Sequence, residues 1–107
     1  MEFKDLIKRT REIKRAYDAL SRKQGRPAWL TSDYMQGLIG DVGDLAKLVV
    51  KRKRAGASKK IDREIAKELS DILYMVVVIA EELSLNLERE YKVNLEFLEQ
   101  KLREEAE

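Results

Sequence analysis

The chain has 107 residues, with 22 Lys and Arg against 20 Asp and Glu and neither histidine nor cysteine. That length holds one domain able to fold without covalent staples. The two missing residue types exclude disulfides, thiolate metal sites, Ser-His-Asp and Cys-His catalysis, and imidazole switches. Chemistry is left to carboxylates, Lys, Arg, Tyr, hydroxyls, backbone groups and bound metal. The charge is uneven: from Glu81 onward there are 4 basic and 9 acidic residues, so the preceding part is distinctly basic and suited to phosphates or an acidic partner.

In chain order, Phe3, Leu6, Ile7, Ile13, Tyr17 and Leu20 recur at helical spacing with Lys and Arg between them. They predict a first helix ending near Ser21. Arg22 to Leu30 contains Gly25, the only proline, Pro27, and the only tryptophan, Trp29, and reads as a loop. Thr31 or Ser32 is the expected cap of a second helix, with Asp33 at its positive end. That helix is expected to run to about Arg54 and to turn Leu38, Ile39, Val42, Leu45, Ala46 and Val49 toward the core.

Gly56 supplies a C-terminal glycine and Ser58 a new cap. A third helix, Ile61 to Leu83, is apolar nearly all round after Asp71, which marks it as central. A break at Ser84 to Asn86 precedes a fourth helix carrying Leu87, Tyr91, Leu95, Leu98 and Leu102. No stretch alternates with period two, so the predicted fold is all-α, a four-helix bundle without a sheet. The Met1 to Asp5 start lacks the apolar core of a signal peptide, and the longest apolar run, Tyr74 to Ala80, is too short to span a bilayer. A cytoplasmic protein without a membrane partner is expected.

The residues able to carry chemistry are acidic. Residues three apart share a helix face, so Asp41 pairs with Asp44 and Glu68 with Asp71. Packing the second and third helices together would gather four carboxylates. Asp71, among Leu69, Ile72, Leu73 and Met75, is not expected to be solvated. Clustered, desolvated carboxylates repel one another, and a hard divalent cation relieves both penalties. All-oxygen donor sets suit Mg²⁺ or Mn²⁺, with nucleotide phosphates completing the shell. The simpler expectation is that these acids are solvated and paired with Lys47, Lys67 or Arg63. Gly37, Gly40 and Gly43 each disfavour the helix by ~1 kcal/mol relative to Ala. Either another helix approaches there or room is left for a ligand.

The string Ile39-Gly40-Asp41-Val42-Gly43-Asp44-Leu45-Ala46, followed by Lys67-Glu68-Leu69-Ser70-Asp71-Ile72-Leu73-Tyr74, resembles the MazG-type all-α nucleoside triphosphate pyrophosphohydrolases. Their hallmark is E-x-x-E on one helix and E-x-x-D on the next, with a Gly-Glu-Leu-Ala core. The resemblance implies a MazG-like bundle in which Asp41, Asp44, Glu68 and Asp71 hold Mg²⁺, or Mn²⁺, and carry catalysis. The implied reaction is cleavage of a nucleoside triphosphate between the α- and β-phosphates, giving the monophosphate and pyrophosphate. Asp41 or Asp44 could instead act as general base. The second motif is intact. In the first, both glutamates are aspartates, one methylene shorter, and Gly40 stands where a further acid is common.

The resemblance also assigns Trp29 to the base and Lys92 and Asn94 to phosphate or sugar. The alternative for a loop Trp is packing. The basic run Lys51 to Arg54, continued by Lys59, Lys60 and Arg63, has no interleaved aromatics, so local phosphate attraction is expected rather than nucleic-acid binding. A central helix this apolar predicts a homodimer or homotetramer. Two other functions stay open: a nucleotide-binding regulatory protein of the same fold, and a helical interaction module.

Overall fold

The computed structural model describes all 107 residues as four helices and no strand: α1 (Phe3–Lys23), α2 (Thr31–Ala55), α3 (Lys59–Glu82) and α4 (Leu87–Ala106). The boundaries follow local chemistry. At the start of α1, the Glu2 amide donates to Asp5 Oδ2 at 2.9 Å. α2 is capped differently from expectation. Thr31 is already helical, and the Asp33 carboxylate reaches back to accept the Leu30 amide at 2.8 Å. A carboxylate at the third helical position can satisfy that amide and also favours the positive helix end. Ser58 caps α3 as expected, its Oγ accepting from the Ile61 amide at 3.1 Å. Asn86 does the same for Arg89 in α4.

The predicted stop after α2 is present. Gly56 takes φ +88°, where a side chain would be strained, and its amide returns to the Arg52 carbonyl at 2.9 Å. The resulting turn folds α2 and α3 into an antiparallel hairpin. Gly37 lies against Met75, Asp41 and Asp44 lie beside Glu68, and Arg52 bonds Asp62 at 2.6 Å, so positions rise along α2 as they fall along α3.

α1 crosses α3 and is tied to its C-terminal end by charge. Arg11 makes a bidentate pair with Glu81 at 2.6 and 3.1 Å. Lys14 bridges Asp18 and Glu82 at 2.6 and 2.8 Å. Burial works against the Lys14 ammonium, but hydrogen bonds to the two carboxylates outweigh it and its pKa stands above the ordinary lysine value. Beneath these pairs lie Ile7 of α1 and Val77, Val78 and Ala80 of α3, all buried. α3 is therefore the central helix, as its apolar sequence predicts.

Two expectations about burial need correction. On α2, Ile39, Val42, Ala46 and Val49 are exposed rather than core-facing, because α2 has one main neighbour, α3, and these residues lie on a different flank. On α4, no residue is buried, and its one aromatic contact is an edge-on approach of Tyr91 to Phe3 with centroids 6.4 Å apart. The molecule is extended, with a radius of gyration of 17.3 Å, where about 13 Å is usual for this length. No helix is long and apolar enough to cross a membrane.

Candidate metal centre

Midway along the hairpin, carboxylate oxygens of Asp41, Asp44 and Glu68 all lie within 4.8 Å of one another. The spacing of α2 accounts for two of them, since Asp41 and Asp44 are neighbours on one face. Glu68 arrives from α3 through the antiparallel register. Asp41 and Glu68 are half-buried and Asp44 is exposed, so the cluster is closed on the hairpin side and open on the other. Along the open side runs a cleft of about 370 Å³ lined by Asp44, Lys47, Leu48, Glu64, Lys67 and Glu68.

Glu68 is the least comfortable member. Its Oε2 is buried and has no hydrogen-bond partner. Burial raises its pKa, and the nearby charges of Asp41, Asp44 and Asp71 raise it further, with Lys67 opposing them. A buried, unsatisfied acceptor among like charges is unfavourable unless a cation or proton fills the gap. Three convergent carboxylates form an all-oxygen donor set of the kind that could hold an oxygen-seeking divalent ion.

The fourth acid behaves otherwise. Asp71 is half exposed, and its Oδ2 is held by Lys67 one turn earlier on α3 at 3.0 Å. The expectation of an unsolvated Asp71 does not hold. A lysine four residues before an aspartate meets it along the helix surface, and here that pairing turns Asp71 away from the three-acid cluster. It remains close enough to raise the Glu68 pKa. The Asp71 contact likewise raises the pKa of Lys67.

The glycines separate by role. A Cβ on Gly37 would come within 3.2 Å of Met75 Cε and 3.4 Å of Trp29, so this position permits close approach. Gly40 and Gly43 face open space. Gly40 lies three residues after Gly37 and four before Asp44, on the flank beside the acids, and leaves that approach clear.

Trp29 is 50% exposed and stands edge-on to Tyr34, with centroids 5.3 Å apart. The two line a second cleft of about 310 Å³ with Tyr17, Asp18, Ser21, Tyr74 and Met75. Met75 and Trp29 both touch the Gly37 position, and Asp41 follows one turn later, so the aromatic cleft and the acids are neighbours along α2. Lys92 and Asn94 lie on exposed α4 and line neither cleft. Sequence reasoning missed the aromatic trio Tyr17, Tyr34 and Tyr74, whereas its simpler expectation of lysines beside the acids holds for Lys47 and Lys67. The lysines had a signal, since Lys47 follows Asp44 by three residues and Lys67 adjoins Glu68. No family model matches the chain, and no curated protein or solved structure matches it either.

Proposed function

We propose that the protein is a Mg²⁺-dependent nucleoside triphosphate pyrophosphohydrolase, converting a ribo- or deoxyribonucleoside triphosphate and water to the monophosphate and pyrophosphate. The observation carrying this reading is the buried, unpartnered Glu68 Oε2 beside Asp41 and Asp44. Those three carboxylates would hold the ion, and Asp71 would join only by leaving Lys67. When bound, Mg²⁺ offsets phosphate charge and activates the attacking water.

The remaining work falls to the chain. Trp29, half exposed at the aromatic cleft and backed by the buried Tyr34, would offer aromatic surface to a base. Lys47 and Lys67, lining the open cleft, meet phosphate oxygens. In that reaction Asp44, the exposed acid, would serve as general base instead of direct ligand, accepting the proton of the water that attacks phosphorus while the bond between the α- and β-phosphates breaks and pyrophosphate leaves. The shortened acids favour one second reading, a protein that binds nucleotide and metal without turnover.

The test is a panel of ribo- and deoxyribonucleoside triphosphates with Mg²⁺ or Mn²⁺, scored for pyrophosphate. Release that is lost in Glu68→Ala, with helicity retained, supports hydrolysis. Binding without release selects the regulatory reading. If neither metal nor nucleotide raises the melting temperature at saturation, both are refuted.

A further inference from the structure

The aromatic cleft holds one charged side chain, Asp18, which the proposed reaction leaves without a task. Asp18 and Ser21 enter the cleft from α1, among the tyrosines and Trp29. Its volume of about 310 Å³ is at the small end for ligand sites, with room for a planar ring. Trp29 and Met75 both reach the Gly37 position, and Asp41 follows on α2 one turn, about 5.4 Å, later. A ring in the cleft can therefore belong to a ligand whose phosphates extend to the acids.

The Asp18 side chain is only 18% exposed. Lys14 takes one of its oxygens, Oδ2, at 2.6 Å, and shares its charge with Glu82. The other oxygen, Oδ1, has no partner within the chain. A carboxylate only accepts, and one set in an aromatic cleft is poorly served by water, so it favours a ligand that brings an N–H. The hydroxyls around it have the opposite character. Burial raises the pKa of Tyr34 and of Tyr74, so both stay protonated and able to donate at neutral pH.

An acceptor set among donors matches an amino group on the carbon next to a ring nitrogen, where the amino group donates and the ring nitrogen accepts. Cytosine and adenine carry that edge. In uracil and thymine the one N–H of the pairing edge lies between two carbonyl oxygens, whose partial negative charge a carboxylate repels. We infer that Asp18 reads the base: its free oxygen accepts an N–H from the amino group of cytosine or adenine standing against Trp29, and it disfavours uracil and thymine. Selection at Asp18 rests on the nucleotide reading proposed above and names the class of base that this cleft takes.

The test is calorimetric affinity, with Mg²⁺, for α,β-methylene nucleoside triphosphates, which cannot be cleaved at that bond. The cytidine and adenosine analogues are expected to bind the wild-type chain about tenfold or more tightly than the uridine and thymidine analogues, the low end for a hydrogen bond to a charged group. The purine riboside analogue, which differs from adenosine only in lacking the amino group, should bind more weakly than adenosine by the same factor, in a comparison that alters no residue. Asp18→Asn keeps an oxygen for Lys14 and exchanges the free acceptor for a donor. It is expected to retain helical circular dichroism and to lose the preference for amino-bearing bases. Equal affinity for the adenosine and purine riboside analogues, or a preference that survives Asp18→Asn, would overturn the role of Asp18 and leave the nucleotide reading standing. If no analogue binds the wild-type chain, the nucleotide reading falls and the role of Asp18 falls with it.

Discussion

Replacing Lys14 by Met removes the cation between Asp18 and Glu82 and leaves two carboxylates facing an apolar thioether. The Lys14 side chain is 13% exposed, and its partners are 18% and 24% exposed at 2.6 and 2.8 Å. Removing one member of a fully buried ionic group costs ~3–5 kcal/mol, because the other charge is left uncompensated. Residual water at these carboxylates lowers that to about 2–3 kcal/mol. In a chain of this length, such a loss reduces the melting temperature by about 10 °C. The assay is urea denaturation of both proteins followed by circular dichroism, repeated across pH. The wild-type Lys14 pKa is raised. Its contribution is therefore complete below the ordinary lysine value and is lost only as pH rises through the higher folded value. The deficit of Lys14→Met should be constant across the neutral range, well below the lysine window. A deficit under about 1 kcal/mol, the range of a surface pair, would refute the reasoning.

Glu68→Gln should remove any Mg²⁺-induced rise in melting temperature while leaving the metal-free protein at least as stable at pH 7; a full metal response in the variant would count against the centre. Because the folded Glu68 pKa lies above the ordinary value of 4.5, the folded state holds more protons than the unfolded one between those two pH values. Metal-free stability should therefore fall as pH rises through that window, and a slope unchanged in Glu68→Gln would contradict this. Gly40→Ala, whose new methyl meets nothing within 4 Å, should stabilise by ~1 kcal/mol in thermal melts. Gly37→Ala should gain less, since Met75 Cε must shift from 3.2 Å; the reverse order would be inconsistent with the packing. Ser58→Ala should lose ~1 kcal/mol of stability through the α3 cap, and an unchanged denaturation midpoint would exclude that role.

Much of this architecture can be read along the chain because it depends on local chemistry. Gly56 and Ser58 mark the end of one helix and the start of the next, since a positive φ and an orphan amide are needs of those positions alone. Asn86 falls at a similar boundary. The helical spacing of α1 and α4 and the all-round apolarity of α3 are legible for the same reason. At α2, two local capping options compete. Asp33 satisfies the Leu30 amide, so the helix starts without Thr31 or Ser32 as its cap.

Pairing between helices depends on register, which sequence periodicity leaves open. Periodicity assembles Asp41 with Asp44 and Glu68 with Asp71, and it cannot foresee that Lys67 draws Asp71 aside while Glu68 is left with a buried, unpartnered oxygen. Nor can it divide the apolar positions of α2 between Leu38 and Leu45, which face α3, and Ile39 and Val42, which face outward. By itself the sequence determined the helices, their ends and the acidic positions, through interactions spanning a few residues. The tertiary structure alone decided which acids converge and which apolar row is left open, because both depend on how α2 lies against α3.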